Sequence, residues 1–580
     1  MTNGWIDIKN TDMMLIMGGN PAENHPCGFK WAMEAKRNRN AKLISVDPRF
    51  TRTSATADLF CQIRAGTDIA FLGGLIRYAI ENNRIAKEYL VNYTNAAFIV
   101  KEGFKLPEDG LYSGFNAATS SYDKTTWNYE EGGDFSGKTD DPTSAHATPA
   151  PSNPATPAPP PALPPNVAYD LTLQHPRCVF QLMKQQYSRY TPEAVERITG
   201  IPKEQYLKAV DLFTSVRKDG DMKKVATIIY AVGWTQHTFG TQIIRTAAMI
   251  QLLLGNVGRA GGGVNALRGH SNIQGATDMA GLYDSVPGYL KAPVPDDKDL
   301  ATYLKRTTPT ASKPSPWNSM NYYANTPKFM VSLLKSFYAD AATKENDFAF
   351  DYLPKFGQDC SWTHIWDDMY NGKVKGMLAF GMNGVMIGPD TNKNINALKR
   401  ADWLVVGEIY PDETSEFWKA PGITAEEQKK INTTVYRLPC AGFAEKDGSM
   451  TNSARWVTWK YAAVPPPGQA RLDQDIVAQI FLRVRDLYKK EGGKFPDPIL
   501  NLSWAYADAA HPPLSQVAME VNGKALADLK DDATGQVIKA GQQLPGFAWL
   551  KDDGTTMCGN WIYSGSWTEA GSQIQRRGTE

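Results

Sequence analysis

The chain is predicted to be an α/β protein built on parallel sheets, and three observations carry that prediction. Short apolar runs alternate with helical stretches through residues 13–80. The alternation returns at 225–254 and again from 374. A strand followed by a glycine turn recurs four times, and the carboxyl ends of parallel strands are where this fold class binds its ligands.

The elements follow in order. Residues 13–17 form an apolar strand stopped by Gly18-Gly19-Asn20-Pro21, which is turn chemistry. Residues 23–39 have helical composition, and 42–46 make a second strand closed by Asp47-Pro48-Arg49. Thr67 or Asp68 is placed to cap the next helix, whose apolar face holds Ile69, Leu72, Ile76 and Ile80. Residues 136–166 break the pattern. Ten prolines lie between Pro142 and Pro165, and a run so poor in N–H donors builds neither ladder nor core, so an extended, solvated surface insertion is expected. Residues 192–197 and 203–215 read as helices, and 225–232 as a β-branched strand ending at Gly233-Trp234-Thr235-Gln236-His237. The helix over 241–254 closes on Gly255-Asn256, a C-cap signal. Later strands are 374–380, ending at Gly381-Met382-Asn383-Gly384, and 403–407, ending at Glu408. A helix over 475–488 carries Ile476, Ile480, Phe481, Val484 and Leu487 on one face, and from Pro496 the chain reads as irregular.

At 580 residues the chain exceeds the size at which one core divides. Its 62 basic and 61 acidic residues leave a net charge of +1, so no bulk field favours nucleic acid or membrane. Apolar runs such as 247–254 are too short to cross a bilayer, so no direct membrane insertion is expected. Residues 1–10 hold no apolar h-region, and no signal peptide is read in the chain as it stands. The six cysteines form no CxxC pair. That argues against a zinc ribbon or an iron–sulfur cluster of the chain's own, and no metal ligand is assigned.

One segment resists a packing explanation. Residues 261–275 run Gly-Gly-Gly-Val-Asn-Ala-Leu-Arg-Gly-His-Ser-Asn-Ile-Gln-Gly. The glycines would let backbone amides approach a ligand. Arg268, His270, Asn272 and Gln274 gather more hydrogen-bonding groups than a core tolerates without polar partners. The other strand ends read less sharply. Gly18-Gly19-Asn20-Pro21 stands where a dinucleotide fingerprint would stand, yet it is neither GxGxxG nor a phosphate-binding P-loop. Asp47 is placed for ribose or a base amino group and Arg49 for phosphate, against the bland reading of a capped turn. Gly66-Thr67-Asp68 alone reads as a cap, and His237 alone as a satisfied structural histidine. Taken together, four turns at sheet edges suit one long crevice for an extended, phosphate-bearing ligand.

Here a resemblance enters. Gly18 to Pro26, Asp47-Pro48-Arg49 and Gly66-Thr67-Asp68 resemble the molybdopterin-guanine-dinucleotide half-site of the molybdenum/tungsten oxidoreductases. Gly233 to His237, followed by Gly261 to Gly275, is similar to the respiratory, periplasm-facing formate dehydrogenases, in their large catalytic subunit. The resemblance covers nearly the whole chain outside the proline-rich stretch. It implies two Rossmann-like, doubly wound parallel-sheet domains of the DMSO-reductase-like fold plus an irregular C-terminal segment. The divisions would be 1–268 and 269–430, each binding a pterin dinucleotide, and 431–580, packing on an iron–sulfur domain.

The resemblance also implies roles. Asp47 would recognise the guanine of a pterin nucleotide, with Asn20, Arg49 and Asp68 near its phosphates and ribose, and Gly19, Glu23 and Gly66 would also be cofactor-binding. Gly233, Gln236, Gly381, Met382, Asn383 and Glu408 fall in cofactor-contacting stretches. Arg268 matches the arginine that orients formate, as a guanidinium holding a carboxylate in two hydrogen bonds, while His270 and Gln274 would shape that pocket. The cofactor would be bis-molybdopterin guanine dinucleotide with molybdenum or tungsten. Partners would be formate and carbon dioxide, an iron–sulfur electron-transfer subunit, and a cytochrome subunit as a further candidate. A periplasmic location follows by resemblance, through a twin-arginine signal on the full-length form.

The family's four-cysteine [4Fe–4S] segment, its selenocysteine or cysteine followed by histidine, and its C-terminal β-barrel are not found in these residues. The chain therefore resembles the middle of a catalytic subunit and is expected to be inactive alone. An upstream UGA codon, read as a stop, would explain Met1 as a restart. Two other readings stand beside this one: a non-catalytic pterin-binding subunit, and a nicotinamide-dependent dehydrogenase, which the absent glycine fingerprint disfavours.

Overall fold

The computed structural model describes residues 1–107, 110–132, 167–309, 321–454, 456–532 and 534–574. The proline-rich insertion expected over 136–166 lies outside the described residues. The described residues divide into two compact units. One is formed by Met1–Ser271 and Ser453–Trp456, the other by Asn272–Ser312, Ser319–Asn452 and Val457–Glu580.

The first unit is organised by five parallel strands, β1 (Met13–Met17), β2 (Lys42–Asp47), β3 (Leu59–Gln62), β4 (Ala226–Tyr230) and β5 (Val264–Ala266), in the order β3-β2-β1-β4-β5. Strand β1 pairs with β2 through Met13 and Lys42 and with β4 through Met13 and Ala226. Every residue of β1 and β4 is buried, as a parallel strand covered on both faces demands. The period of two sorts their side chains. Leu15 and Met17 join Phe71, Leu75, Ile243 and Ile250 on one face, whereas Met14 and Ile16 join Ile8, Phe29, Ala32 and Ala35 on the other. The helices concerned are α1 (Pro26–Arg39), α2 (Asp68–Glu81), α3 (Pro192–Thr199), α4 (Lys203–Thr214) and α5 (Gly240–Leu253).

Several boundaries correct the sequence expectations. Strand β3 was not foreseen, because its four residues carry too short a pattern. The helix expected over 23–39 is two pieces, since His25 sits at the N-cap of α1 and Pro26 takes its first position. The strand expected over 225–232 stops at Tyr230, and Val232–Thr235 makes a helical turn. Neither Thr67 nor Asp68 caps α2 with its side chain. The Thr67 hydroxyl donates back to the Arg64 carbonyl at 2.6 Å. The end of α5 does behave as the glycine signal predicts. Gly255 has φ +58°, its N–H reaches the Leu252 carbonyl at 3.0 Å, and the Asn256 N–H reaches Gln251 at 2.9 Å, which is a Schellman closure.

The second unit carries three parallel strands in chain order, β6 (Gly376–Phe380), β7 (Trp403–Glu408) and β8 (Thr434–Pro439). Strand β8 was missed, its alternation masked by Arg437 and Pro439. Helices α6 (Thr326–Tyr338), α7 (Trp362–Tyr370), α8 (Thr391–Leu398), α9 (Asp473–Glu491) and α10 (Leu514–Asn522) complete it. The expected third division, 431–580, is not separate. Leu529, Leu550 and Trp561 share one core with Phe329, Leu334 and Phe350, and the rings of Phe329 and Trp561 stack with centroids 4.4 Å apart. No described helix is long and apolar enough to cross a membrane.

Candidate functional site

Strand order in the first sheet reverses between β1 and β4, and a crevice outside the carboxyl ends at such a switch point is where open α/β sheets bind ligands. The turns after these two strands lie against each other. The Ala231 N–H donates to the Gly18 carbonyl at 3.1 Å. Gly18 has φ +72°, and a Cβ there would stand 2.4 Å from the Trp234 ring. A Cβ on Gly233 would stand 2.6 Å from the Gly18 oxygen, and one on Gly19 3.1 Å from the Ala231 Cβ. These glycines thus serve the close approach of two backbone turns.

Trp234 is the keystone of this junction. It is fully buried and stacks on Tyr230 with centroids 5.0 Å apart. Its indole N–H donates to Asp68 Oδ1 at 2.9 Å. Asp68 is buried, and that burial pushes its carboxyl above the ordinary value. The Trp234 hydrogen bond and nearby His237 pull it back, while Asp47 pushes it further up. One oxygen of Asp68 is therefore committed to the protein itself rather than free for a ribose.

Around this junction stand the other expected residues, in two states. The Asn20 side chain is spent internally, whereas Glu23 is exposed and commits one carboxylate oxygen to it. The Asn20 amide donates to Glu23 Oε2 at 2.8 Å, and its Oδ1 accepts from the Thr53 N–H at 3.2 Å and hydroxyl at 2.8 Å. The pair braces the β1 turn, and Glu23 still faces solvent. Asp47, Arg49 and Gln236 remain available. Arg49 and Gln236 are exposed, and Asp47 accepts only the Arg49 N–H, at 2.9 Å, among the described residues. Gly66 has φ +81° with Phe239 3.8 Å from the position of a Cβ.

The glycine run does not do what its composition suggested. Gly261, Gly262 and Gly263 are buried. A Cβ on them would meet the Asn10 carbonyl carbon at 2.4 Å, the Asn256 oxygen at 2.1 Å and the Thr2 hydroxyl at 1.9 Å. The Gly261 N–H donates to Asp7 Oδ2 at 2.7 Å. The run is a packing joint that feeds β5 into the sheet, and its amides face the protein.

What β5 then delivers is Arg268. The Leu267 N–H donates to the Tyr230 carbonyl at 2.7 Å, extending the sheet by one bond. The Arg268 N–H donates to Ser453 Oγ at 3.0 Å, and its carbonyl accepts from His25 Nε2 at 2.8 Å. The guanidinium itself is exposed, and no described carboxylate pairs with it. A cation held only by its main chain at a sheet's carboxyl edge is ready for an anionic ligand. His270 is exposed in the same unit. Gln274 belongs to the second unit and is buried there, its amide donating to the Tyr289 hydroxyl at 2.8 Å and Asp278 Oδ1 at 3.1 Å. It offers no free donor for a pocket.

The carboxyl edge of the second sheet holds the rest. Gly381 has φ +66° with no atom of the described residues within 4 Å of where a Cβ would stand, so open space lies beside it. Asn383 is engaged, donating to Glu413 and accepting from the Thr414 hydroxyl at 2.9 Å. Glu408 lines a cavity of about 200 Å³ with Tyr410, Ser415 and Arg437. Burial pushes its carboxyl up; the Ile409 and Met382 N–H groups oppose that, and Asp412 and Asp473 add to it. Four of the cysteines are buried and all six are free thiols, with burial pushing Cys61, Cys440 and Cys558 up to about 12. Sequence reasoning missed Thr53 and Ser453, and passed over Trp234 and His25 within the motifs that held them.

The family profile described as Molybdopterin oxidoreductase matches residues 1–419, and the chain belongs to the molybdopterin oxidoreductase family. Membership implies a pterin cofactor carrying molybdenum or tungsten. Over its whole length the chain is 48% identical to the formate dehydrogenase-O major subunit of Escherichia coli, covering 53% of that protein. It is 45% identical to formate dehydrogenase 2 subunit alpha (cytochrome c-553) of Nitratidesulfovibrio vulgaris, again over 100% of this chain and 53% of the relative. The chain thus spans about half the length of the curated relatives it matches. Acetylene hydratase from Pelobacter acetylenicus is a slight structural likeness, with a TM-score of 0.43 at 16% identity over 87% of this chain and 49% of that one.

Proposed function

We propose that this chain is the central part of a formate dehydrogenase catalytic subunit carrying bis-molybdopterin guanine dinucleotide, in which each unit by itself binds one pterin dinucleotide at its sheet edge. The observation that carries the reading is Arg268, an exposed guanidinium with its backbone fixed at both ends of one residue, in a chain 48% identical to a formate dehydrogenase subunit along 579 residues. The donor set suits the cofactor. Asp47 offers a carboxylate to the amino edge of a guanine, Arg49 a cation to phosphate, and the open space beside Gly381 a place where backbone can approach a ligand.

Formate oxidation breaks the C–H bond and yields carbon dioxide, one proton and two electrons. When bound, the pterin-held metal supplies the acceptor for those electrons. Arg268 receives the carboxylate in two parallel hydrogen bonds and fixes which way the C–H bond points. His270, exposed close by in sequence, is the candidate for relaying the proton. The electrons would leave through an iron–sulfur subunit and a cytochrome subunit in a periplasmic complex.

The test uses anaerobically purified holoenzyme containing this chain. Denaturation should release guanine nucleotide, metal analysis should find molybdenum or tungsten, and formate should drive reduction of a viologen dye. Arg268→Ala should lower kcat/KM by at least about 100-fold. Release of a nicotinamide nucleotide, or unchanged formate oxidation in Arg268→Ala, would overturn the reading.

A further inference from the structure

We infer that His25 is a positioning residue for Arg268, acting through the arginine's carbonyl oxygen; this rests on the formate reading above. The Arg268 side chain has no described carboxylate partner, so its direction depends on its main chain. Two side chains hold that main chain. Ser453 Oγ accepts the N–H at 3.0 Å, and His25 Nε2–H donates to the carbonyl at 2.8 Å, across 243 residues of sequence.

His25 is itself held firmly. It is the N-cap of α1, its carbonyl accepting from the Gly28 N–H at 3.0 Å and the Phe29 N–H at 2.8 Å, and its own N–H donating to Pro21 at 2.9 Å. Its ring lies against Trp5, centroids 5.9 Å apart and planes tilted by 32°. Trp5 can sit there only because residue 28 is glycine: a Cβ would stand 2.1 Å from the indole. The other ring nitrogen, Nδ1, is buried and meets no hydrogen-bond partner among the described residues. The hydrogen-bond network therefore places a proton on Nε2, because the Arg268 carbonyl oxygen can only accept. The imidazole is thus a fixed donor to the strand end that carries Arg268. A chain of contacts from Gly28 through Trp5 to His25 thus sets where the guanidinium begins.

Two variants of the holoenzyme separate the donor from the ring. His25→Phe keeps an aromatic ring against Trp5 and removes the donor, while His25→Gln places an amide nitrogen near the Nε2 position. The expected result for His25→Phe is a formate KM raised about tenfold with kcat nearly kept, as loss of a positioning bond weakens carboxylate capture. The formate concentration that half-protects Arg268 from phenylglyoxal, read by peptide mass, should rise by the same factor. His25→Gln should recover most of both. Unchanged KM and protection in a folded His25→Phe, or equal damage in both variants, would overturn the inference. Formate oxidation surviving Arg268→Ala would instead overturn the function it rests on.

Discussion

Replacing Trp234 by Phe tests whether the indole N–H, rather than ring packing alone, holds the switch-point junction together. Two costs can be worked from the structure. Trp234 is fully buried, and shrinking it leaves about 40 Å³ of void, worth about 1 kcal/mol at ~24 cal/mol per Å³. The substitution also removes the 2.9 Å donor to Asp68, worth about 1.5–3 kcal/mol for a bond to a buried carboxylate. The total is about 2.5–4 kcal/mol, and at roughly 2–4 °C per kcal/mol the midpoint of the first unit should fall by about 5–15 °C in calorimetry. Only the second cost depends on charge. In an Asp68→Asn background the same substitution should therefore cost about 1–2 kcal/mol less, a coupling that a double-mutant cycle reads directly. The pH dependence has a definite sign. Burial raises the folded-state pKa of Asp68 above its unfolded value, so the folded state holds this proton longer, and stability is lost as pH rises through the raised value. Losing the Trp234 donor raises that value further, so the penalty should grow as pH rises through the Asp68 titration. A penalty equal in both backgrounds and flat with pH would refute the role given to the N–H.

Two further outcomes follow from the same geometry. Gly381→Asn should cost less than about 1 kcal/mol, because asparagine tolerates the left-handed conformation and no atom lies near the new Cβ. It should nonetheless weaken retention of guanine nucleotide, measured after gel filtration, if ligand backbone contact is what that open space serves; unchanged retention would remove Gly381 from the site. Arg217→Met should destabilise the first unit by about 3–5 kcal/mol, because this fully buried guanidinium donates to the carbonyls of Val216, Asp221, Lys224 and Leu254 and to Asn256 Oδ1, all of which would lose a partner. A calorimetric midpoint within about 3 °C of the parent would contradict it.

The parallel-sheet architecture was legible because its signals are local. Five consecutive apolar residues before Gly18, a β-branched run before Gly233 and a glycine closing α5 each announce themselves within a few residues. Strands β3 and β8 were not, being short or interrupted by Arg437 and Pro439. The division at 431 failed for a different reason. A unit boundary depends on which cores merge, and the stacking of Trp561 on Phe329 joins residues more than 200 positions apart. Nothing in the local composition after Pro496 records that partner.

The site shows the same asymmetry within a single segment. Gly261–Gly263 and Arg268 stand within eight residues of each other, and composition marks both as polar or unusual. Composition cannot say which way each faces. That is decided by Thr2, Asp7 and Asn10, which fill the space around the glycines, and by His25 and Ser453, which take both main-chain groups of Arg268. Buried glycines cost conformational entropy and add no side-chain packing, so their value lies in admitting the first residues of the chain close to β5. On the formate reading proposed above, the exposed arginine five residues on would draw on that rigidity, because a guanidinium can select the orientation of a small carboxylate only if its own origin does not move. On that reading the packing joint and the exposed cation would act together. Changes in the glycine run should therefore be felt at Arg268 although they touch no ligand.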